Sequence, residues 1–409
     1  NPTLGETSGV YSTGIAIQGS SGILIANNTI FVESFLSLAL RGIDIGPIAT
    51  NSAYGPAIVE KNRVERVKSN RELTQGAYGI NISGGIGHSI RNNFVSGVIN
   101  SQFGGFGGDL SPTTSAVGIR IGNGTDHQIQ HNSVNLFGTV PGNAGFNMTT
   151  AFAISATGQL RLDVRNNVFS NQINGGSLAE TRHVAIYLPS GATSTMNLTM
   201  NNNAYFQGNE TNSRMARRGT STLLPPEDEY ISANFNAGAT TPATNFRAYS
   251  STLQLSGNND NASFATTTAP PFVSNSDLHI PTAGSSQLNN GGAVTSVIDD
   301  IDGDVRGATP DIGADEIVAP TAAAVTVSGR VMTANGRGIG STRVMFTGGN
   351  LTEPLTAVTN QFGYYHFEGI EAGQTYIITV GHKRYAFSEP SRVIELFDNL
   401  SDVDFVAVF

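Results

Sequence analysis

Ile90-Arg91-Asn92-Asn93-Phe94-Val95 is the stretch that decides the fold, because its apolar-x-x-Asn-x-apolar pattern recurs along the chain. Five further copies lie at residues 25–30, 59–64, 129–134, 164–169 and 200–205. Their shared asparagines, separated by steps of 34, 31, 39, 35 and 36 residues, are Asn28, Asn62, Asn93, Asn132, Asn167 and Asn203. A nearly regular period of this length indicates a stacked-repeat architecture.

A short Gly-Ile-x-Ile motif precedes four of these copies, at residues 14–17, 42–45, 79–82 and 118–121. Looser versions lie at residues 151–154 and 184–188. Apolar residues alternate with a period of two, which predicts strands, and 48 glycines in 409 residues disfavour helices. Strands that repeat without intervening helices predict an all-β fold in which the chain winds into a parallel β-solenoid.

The shared asparagines have a structural explanation in such a solenoid. Each coil must turn sharply between strands, and asparagine tolerates the left-handed backbone conformation that a tight corner requires. Stacked coils place equivalent side chains about 4.8 Å apart, so the amides are predicted to form a hydrogen-bonded ladder. Asn203 borders an irregular region, and its replacement is expected to cost less stability than replacement of Asn93 or Asn132. A row of ligand-binding amides is the alternative interpretation.

The repeated Gly-Ile-x-Ile and Ile-x-x-Asn-x-Ile motifs resemble those of the right-handed parallel β-helix superfamily, the pectin-lyase-like fold. Segments at residues 271–273, 277–280, 300–306 and 311–316 resemble the closing segment of many secreted bacterial β-helix proteins. The resemblance covers residues 12–318 and implies the fold alone, because the superfamily contains lyases, hydrolases, adhesins and passive surface proteins. We expect coiling to pause over residues 207–270, to resume at 272–280 and to close near Ile317.

The composition of the chain changes after the repeats. Residues 1–317 are predicted to form the β-helix, 318–324 a linker rich in Pro, Ala and Thr, and 325–409 a second domain. Alternating strands and turns in the second domain predict a small β-sandwich. Its Gly-x-Tyr-x-Phe motif, which ends at Phe367, resembles the carboxypeptidase-regulatory-like, transthyretin-like modules of bacterial surface proteins. That resemblance implies a binding or spacing role.

The overall composition argues against several classes of protein. A net charge of −9 with 13% charged residues argues against a nucleic-acid partner or an anionic membrane surface. The absence of cysteine rules out disulfides and thiolate metal sites, and no apolar run approaches the length of a membrane span. The chain starts at Asn1 without a methionine, which we interpret as a processed, secreted protein, although an excised fragment would start in the same way.

Few residues indicate catalytic chemistry. Glycoside hydrolysis needs two carboxyl groups about 5–10 Å apart, and in a solenoid these must come from neighbouring coils or from loops. Asp44, Asn81 and Arg120 occupy the exposed position of successive Gly-Ile-x-Ile strands, which gives a polar stripe with a single carboxylate. Asp126 and Asp163 lie six and four residues before their asparagines, so their positions are not equivalent. A site built from loops remains open.

Two groups of residues have the chemistry of metal ligands. His88 and His127 each lie five residues before a shared asparagine, so they are predicted to stack as a buried pair that shares a hydrogen bond, with metal binding as the alternative. Asp300, Asp302 and Asp304 resemble part of a calcium loop but lack the spacing and distal glutamate of an EF-hand. A tight Asp/Gly turn that closes the solenoid is the other interpretation. We expect no cofactor apart from this candidate calcium ion.

A third charged group lies in the stretch where the repeat is lost. Arg214, Arg217 and Arg218 stand close in sequence to a short acidic run that ends at Glu229. We interpret these side chains as solvated loop charges, and an anion-binding site is the alternative.

These observations favour a structural protein of a bacterial cell surface, or one secreted from the cell, over an enzyme. The alternatives are a polysaccharide lyase or glycoside hydrolase with a loop-built cleft, and a carbohydrate-binding adhesin with Tyr and Phe on its long loops. No amphipathic helix precedes the first coil at residues 14–17 to cover its edge. We expect a neighbouring subunit to cover it, most simply with its C-terminal sandwich, which would give a head-to-tail extracellular filament. Residues 1–11 folded as a plug, or missing upstream coils, are the competing explanations.

Overall fold

The computed structural model describes residues 12–35, 39–46, 54–69, 76–100, 110–141, 147–177, 179–220, 229–235, 241–242, 244–281, 286–317 and 324–408. The chain divides into two compact units, Asn1–Ile317 and Val318–Phe409. The first is a parallel β-solenoid, and the second contains separate, mainly antiparallel sheets. The predicted all-β fold is therefore confirmed.

The strands of the solenoid follow the repeats of the sequence. Within the described ranges they are β1 (Thr13–Gln18), β2 (Ile23–Ala26), β3 (Thr29–Ser34), β4 (Leu40–Gly46), β5 (Ala57–Glu60), β6 (Arg63–Ser69), β7 (Ala77–Ile86), β8 (Ser89–Arg91), β9 (Phe94–Ser96), β10 (Val98–Asn100), β11 (Ala116–Thr125), β12 (Gln128–Gln130), β13 (Ser133–Val140), β14 (Asn147–Ile154), β15 (Asp163–Arg165), β16 (Val168–Gly175), β17 (Thr181–Leu188), β18 (Thr199–Asn201), β19 (Ala204–Gln207), β20 (Ser213–Arg218), β21 (Glu229–Tyr230) and β22 (Phe264–Thr266). Helical segments in the same ranges are 3-10 turns at Ser194–Met196 and Ser232–Asn234 and the short helix α1 (Phe246–Ser251). Among the described residues, no helix is long and apolar enough to cross a membrane.

These strands stack into three sheets. Sheet 1 runs β1-β4-β7-β11-β14-β17-β20-β21, and sheet 2 runs β2-β5-β8-β12-β15-β18. Sheet 3 runs β10-β6-β9-β13-β16-β19-β22, and β3 also pairs with β6. Successive coils pair in parallel, as β7 does with β11, β8 with β12 and β9 with β13, whereas β20 and β21 at the end of sheet 1 are antiparallel. From β1 to β19 each coil therefore contributes one strand to each of sheets 1 and 2 and one to sheet 3, apart from the coil that contributes both β9 and β10 to sheet 3.

The period-two pattern fills the core with equivalent side chains from successive coils. In sheet 1, Ile43 lies opposite Ile80, and Ile80 lies opposite Ile119. All three are fully buried, and burial of such a side chain contributes about 1.5–3 kcal/mol. The glycine before each isoleucine is required by space, because a Cβ on Gly79 would lie 2.5 Å from the carbonyl oxygen of Gly118 in the next coil.

The left-handed residue at each corner is the one before the shared asparagine. Corner residues with positive φ are Asn27, Lys61, Asn92, His131, Asn166 and Asn202. The prediction that the shared asparagines themselves adopt this conformation is therefore wrong. Because the turn is completed one residue earlier, the shared asparagine is free to direct its amide into the stack.

The two ends of the solenoid differ within the described ranges. Around the last coils, rings whose centroids lie 5.5–6.4 Å apart close the core, namely Tyr205, Tyr230, Phe235, Phe246 and Tyr249. At the first coil, Ile15 and Ile17 face inward but are only partly buried, whereas Ile43 and Ile45, their partners in register, are fully buried. Of the strands in the described part of the chain, β4 alone pairs with β1. The core is therefore closed by aromatic side chains at one end and less covered at the other.

Residues 272–281 and 286–317, which we call the closing segment, do not form further coils. No strand is assigned within these two ranges. The closing segment instead packs on apolar side chains of the outer face of sheet 3, among them Phe94 of β9, Val168 of β16 and Phe206 of β19. The expectation that coiling resumes and closes in this part of the chain is therefore wrong. Its apolar residues cover the outward face of one sheet, since that face would otherwise expose large side chains to water.

The strands of the second unit, among the residues described there, are β23 (Val325–Thr333), β24 (Arg343–Gly348), β25 (Leu355–Val358), β26 (Tyr364–Ile370), β27 (Gln374–Gly381), β28 (Ser391–Leu396) and β29 (Phe405–Ala407). They form a three-stranded sheet, β26-β23-β29, and a four-stranded sheet, β25-β24-β27-β28. The four-stranded sheet is antiparallel throughout, whereas β23 and β29 are parallel. Apolar residues of both sheets, including Val327, Phe346 and Tyr376, share one core, which agrees with the predicted β-sandwich.

Candidate functional site

The shared asparagines form a continuous ladder inside the solenoid. Nδ2 of each residue donates to Oδ1 of the next over 2.9–3.1 Å, in the order Asn28, Asn62, Asn93, Asn132, Asn167 and Asn203. The same Oδ1 atoms accept the backbone N–H of the preceding ladder residue over 3.0–3.2 Å. The last backbone N–H, that of Asn203, donates to Ser263 Oγ at 3.0 Å. The ladder therefore ends on a hydroxyl acceptor.

Asn132 shows how completely these amides are engaged. Its Nδ2 donates to the carbonyl oxygens of Ile90 at 2.8 Å and Gln130 at 3.1 Å, in addition to the ladder bond to Asn167. Its Oδ1 accepts both N–H and Nδ2–H of Asn93, and the residue is fully buried. Amides engaged in this way hold neighbouring coils together and present no group to a ligand from solvent.

His88 and His127 stack on adjacent coils, with ring centroids 4.9 Å apart and planes inclined by 9°. Nδ1 of His88 accepts the N–H of Ala57 at 2.9 Å, and Nδ1 of His127 accepts the N–H of His88 at 3.1 Å. Hydrogen bonds from the backbone of the preceding coil thus take the place of the predicted bond between the rings. Both side chains are fully buried.

The stacked rings are held in the neutral form. Burial and then the proximity of His88 lower the pKa of His127 to about 4, and burial also lowers the pKa of His88. A third histidine, His183, is likewise buried in the solenoid, and burial lowers its pKa to about 4. Because Nδ1 of both stacked rings already accepts a backbone N–H, the pair offers these two atoms to no metal ion.

Asp44, Asn81 and Arg120 form a hydrogen-bonded row on the outer face of sheet 1. Asn81 Nδ2 donates to Asp44 Oδ1 at 2.6 Å, and Arg120 Nη1 donates to Asn81 Oδ1 at 2.9 Å. The Arg120 guanidinium also lies 5.0 Å from the ring centroid of Tyr78. The row is therefore a chain of hydrogen-bonded side chains with a single carboxylate, unlike the acid–base pair of a glycosidase.

A buried ion cluster, centred on Glu229 of β21, lies at the end of sheet 1. Glu229 accepts hydrogen bonds from Arg182 at 2.8 Å and Arg214 at 2.7 Å, and it also contacts Arg217. Burial alone would raise the pKa of Glu229, but Arg214, Arg182 and Arg217 together lower it. The side chain of Arg217 is fully buried and that of Glu229 is 9% exposed. Interpretation of these two residues as solvated loop charges is therefore wrong.

Asp300 organises a tight turn in the closing segment. Its Oδ1 accepts the N–H groups of Asp302, Gly303 and Asp304 at 2.8–2.9 Å, and its Oδ2 accepts the N–H of Glu316 at 3.0 Å. Both carboxylate oxygens of Asp300 therefore already receive hydrogen bonds from the backbone. This geometry is that of the tight Asp/Gly turn, the second interpretation of the sequence. Asp302 contacts His279 and Arg63, which do not belong to the predicted calcium ligands Asp300, Asp302 and Asp304.

Corner residues of the solenoid bind the closing segment, a role that the sequence analysis did not predict. Their side-chain contacts, over 2.7–2.9 Å, join Lys61 and Asn92 to Asp299, Asn166 to Ala293 and Asn202 to Gly291. The signal in the sequence is the Asn-Asn doublet, whose first asparagine recurs at positions 27, 92, 166 and 202. The second asparagine of each doublet joins coil to coil, and in the last three doublets the first one joins a coil to the closing segment.

The fold brings His279 together with three carboxylates at the surface of the closing segment. Nε2 of His279 lies 2.7 Å from Asp302 Oδ2, and Nδ1 contacts Asp277. His279, Asp302 and Asp315 each present one ligand atom within 4.8 Å of the others, and they are the one such group found in the described residues. Arg63 of β6 borders the group, with Nη2 3.2 Å from Asp302 Oδ1 and 3.3 Å from His279 Nε2. Of these residues, the sequence analysis proposed Asp302 alone as a ligand.

Opposing effects set the ionisation of this cluster. Burial alone would lower the pKa of His279, but hydrogen bonds to Asp277 and Asp302 raise it. Burial raises the pKa of Asp315 to about 6, although the N–H of Ile280 acts in the opposite direction. The carboxylates therefore favour a positive charge at the position of the imidazole.

No protein-family model matches the chain, and no curated protein matches it. Its function is therefore inferred from the geometry of its own residues.

Proposed function

We propose that this chain is a structural protein, secreted or held at the cell surface, that assembles through its first coil. In this proposal it is a right-handed parallel β-helix of the pectin-lyase-like type with a carboxypeptidase-regulatory-like sandwich. One observation carries the function: the inward-facing isoleucines of the first coil, Ile15 and Ile17, are only partly buried, while the equivalent residues of the second coil are fully buried.

Assembly into a filament follows from the difference between the two ends of the solenoid. Strand β1 pairs on one side only among the described strands, and an open edge of this kind pairs readily with another strand. The opposite end is closed by the aromatic group around Phe246. A contact between the first coil of one copy and a different surface of the next is therefore heterologous, and such contacts propagate when they do not close into a ring.

The sandwich of a neighbouring copy offers a suitable surface for the first coil. Strand β28 lies at the edge of the four-stranded sheet and, among the described strands, pairs with β27 alone. Val393 of β28 is 69% exposed, and Ile377, its partner in register, is 43% exposed. An unpaired strand edge beside two exposed apolar side chains would cover both the open edge and the isoleucines of the first coil.

Disulfide cross-linking tests this contact specifically, because the chain contains no cysteine of its own. The double variant Ala16→Cys/Val393→Cys places one thiol on the outer face of β1 and one on β28. Under oxidising conditions it should give covalent oligomers that increase with protein concentration. The matched control, Leu255→Cys/Val393→Cys, places the first thiol on an exposed residue beyond α1 (76% exposed) and should not give them.

A protein that stays monomeric at all concentrations, with the thiol introduced at position 16 shielded from a maleimide reagent, would overturn the proposal. That result would mean that the chain covers its own first coil. Turnover of polyuronates or neutral glycans, assayed with and without calcium, would instead favour the polysaccharide-active alternative.

A further inference from the structure

Three separate parts of the closing segment converge at the His279 cluster. His279, Asp302 and Asp315 are 23 and 13 residues apart along the chain, yet their ligand atoms lie within 4.8 Å of one another. The path of the closing segment over sheet 3 therefore assembles the group, and no local turn accounts for it.

Asp315 carries the observation that points to a ligand. The residue is 7% exposed, and its Oδ2 accepts the N–H of Ile280 at 2.6 Å. A carboxylate oxygen of Asp315 lies within 4.8 Å of the ligand atoms of His279 and Asp302. A largely buried carboxylate is costly in its charged form unless a positive charge lies beside it, and a bound cation would supply that charge.

Asp277 orients the imidazole of His279 for metal binding. Its carboxylate contacts Nδ1, so Nδ1 carries a proton and Nε2 is directed toward Asp302. Metal-bound histidines generally have this arrangement, in which a carboxylate on the second nitrogen fixes the tautomer and raises the basicity of the first. A metal ion at Nε2 would replace the direct contact of 2.7 Å between His279 Nε2 and Asp302 Oδ2.

We propose that His279 Nε2 and the carboxylates of Asp302 and Asp315 bind one divalent transition-metal ion of the zinc class. One imidazole nitrogen with two carboxylates suits Zn²⁺ and its neighbours, whereas Ca²⁺ takes about six to eight oxygen ligands. The side chains of His279 and Asp302 are 27% and 46% exposed. Water can therefore fill the remaining coordination positions.

Arg63 is the cation that such a metal ion would displace. Its Nη2 lies 3.2 Å from Asp302 and 3.3 Å from His279, and its guanidinium stacks over Phe94 at 5.0 Å. The side chain is 32% exposed, so it can turn toward solvent when a metal ion enters. With a neutral imidazole, a doubly charged ion balances its two carboxylate ligands, Asp302 and Asp315, without Arg63.

The test is titration of the full chain, purified without a histidine tag and treated with a chelator, with ZnCl₂ by calorimetry and with CoCl₂ by visible absorption. We expect saturable binding of one ion per chain. His279→Gln and Asp302→Asn should each weaken it at least 100-fold. Asp277→Asn, which removes the orienting carboxylate, should weaken it about 10- to 100-fold.

Two further variants separate metal ligation from general damage to the fold. Asp304→Asn removes an exposed carboxylate of the same turn that lies outside the ligand group, and it should leave the affinity unchanged. Arg63→Met removes the competing charge and should tighten binding about three- to tenfold, which a misfolded protein would not do. Absence of one-to-one binding, equal affinity in the native protein and His279→Gln, or a preference for Ca²⁺ that His279→Gln does not change would each overturn the proposal.

Discussion

Replacement of Asn132 by leucine tests the asparagine ladder at its centre. The substitution removes Oδ1, which accepts the N–H of Asn93 at 3.2 Å, and Nδ2, which donates to the Ile90 carbonyl at 2.8 Å. The N–H of Asn93 is fully buried with its residue and cannot turn to water. A buried donor left without an acceptor costs about 1–3 kcal/mol, and each further lost hydrogen bond costs about 1 kcal/mol. After partial compensation by the larger apolar side chain, Asn132→Leu should lower the free energy of unfolding by about 2–4 kcal/mol.

The matched control is the same substitution at the first step of the ladder. Asn28 is only partly buried, and its Nδ2 donates to Ala26 and Asn62 without any ladder bond arriving at its own Oδ1. Asn28→Leu should therefore cost less than about 1 kcal/mol. Asn203 was expected to matter less than Asn132, but it is fully buried, its Oδ1 accepts the N–H and Nδ2–H of Asn167, and its Nδ2 donates to the Val164 carbonyl. Its replacement should therefore cost as much as that of Asn132.

The measurement is urea unfolding followed by far-ultraviolet circular dichroism, with the slope of free energy against urea held common to all variants. Losses at positions 132 and 28 that agree within about 0.5 kcal/mol would refute the ladder as the main polar link between coils. So would a large loss at position 28 alone.

Three further predictions concern the histidine stack, the glycine column and the closing segment. His127 has a folded pKa of about 4 and an unfolded value near 6.5, so the free energy of unfolding falls as the pH falls from about 6.5 to 4. His127→Asn, which keeps an acceptor near Nδ1, should remove about 3 kcal/mol of that pH dependence as measured by urea unfolding, and an unchanged pH profile would contradict this. Gly79→Ala should lower stability by about 1–3 kcal/mol in thermal melts because its Cβ would meet a carbonyl oxygen at 2.5 Å, whereas Gly158→Ala, with no atom within 4 Å, should change it by less than about 0.5 kcal/mol. Arg306 is 8% exposed and donates hydrogen bonds both to Asn92 of the solenoid and to Gly313 of the closing segment. Arg306→Met should therefore raise hydrogen exchange in the closing segment but not in the strands, whereas Arg161→Met, at an exposed ion pair, should raise it in neither. Equal effects of the two substitutions would argue against a role of Arg306 in holding the closing segment on the solenoid.

The strands and the core were predictable because their signal is local and repeated. Ile43, Ile80 and Ile119 stand at the same place in successive repeats, so their alignment follows from the period. The stacking of His88 and His127 could be predicted for the same reason. Their hydrogen bonds could not, since the donors are backbone N–H groups, which every residue but proline supplies and which therefore leave no mark in the sequence.

The closing segment and the His279 cluster could not be predicted, because neither belongs to a repeat. The bond between Asn166 and Ala293 joins residues 127 positions apart, and no periodicity specifies such a distance. Asp302 approaches His279 only because the segment between them turns back on the solenoid. Residues 101–109 and 142–146, which lie in insertions between the sequence repeats, are outside the described ranges.

The corner contacts also determine how many coils this protein can have. Solenoid proteins readily gain or lose repeats, because each repeat contacts only its neighbours. Here one non-repetitive segment touches corners from Lys61 to Asn202 in a fixed order. Duplication or deletion of a single coil would shift every contact beyond it by about 4.8 Å and would leave apolar side chains of sheet 3 facing water. The number of repeats is therefore tied to a segment outside them, and in evolution the two can change only together.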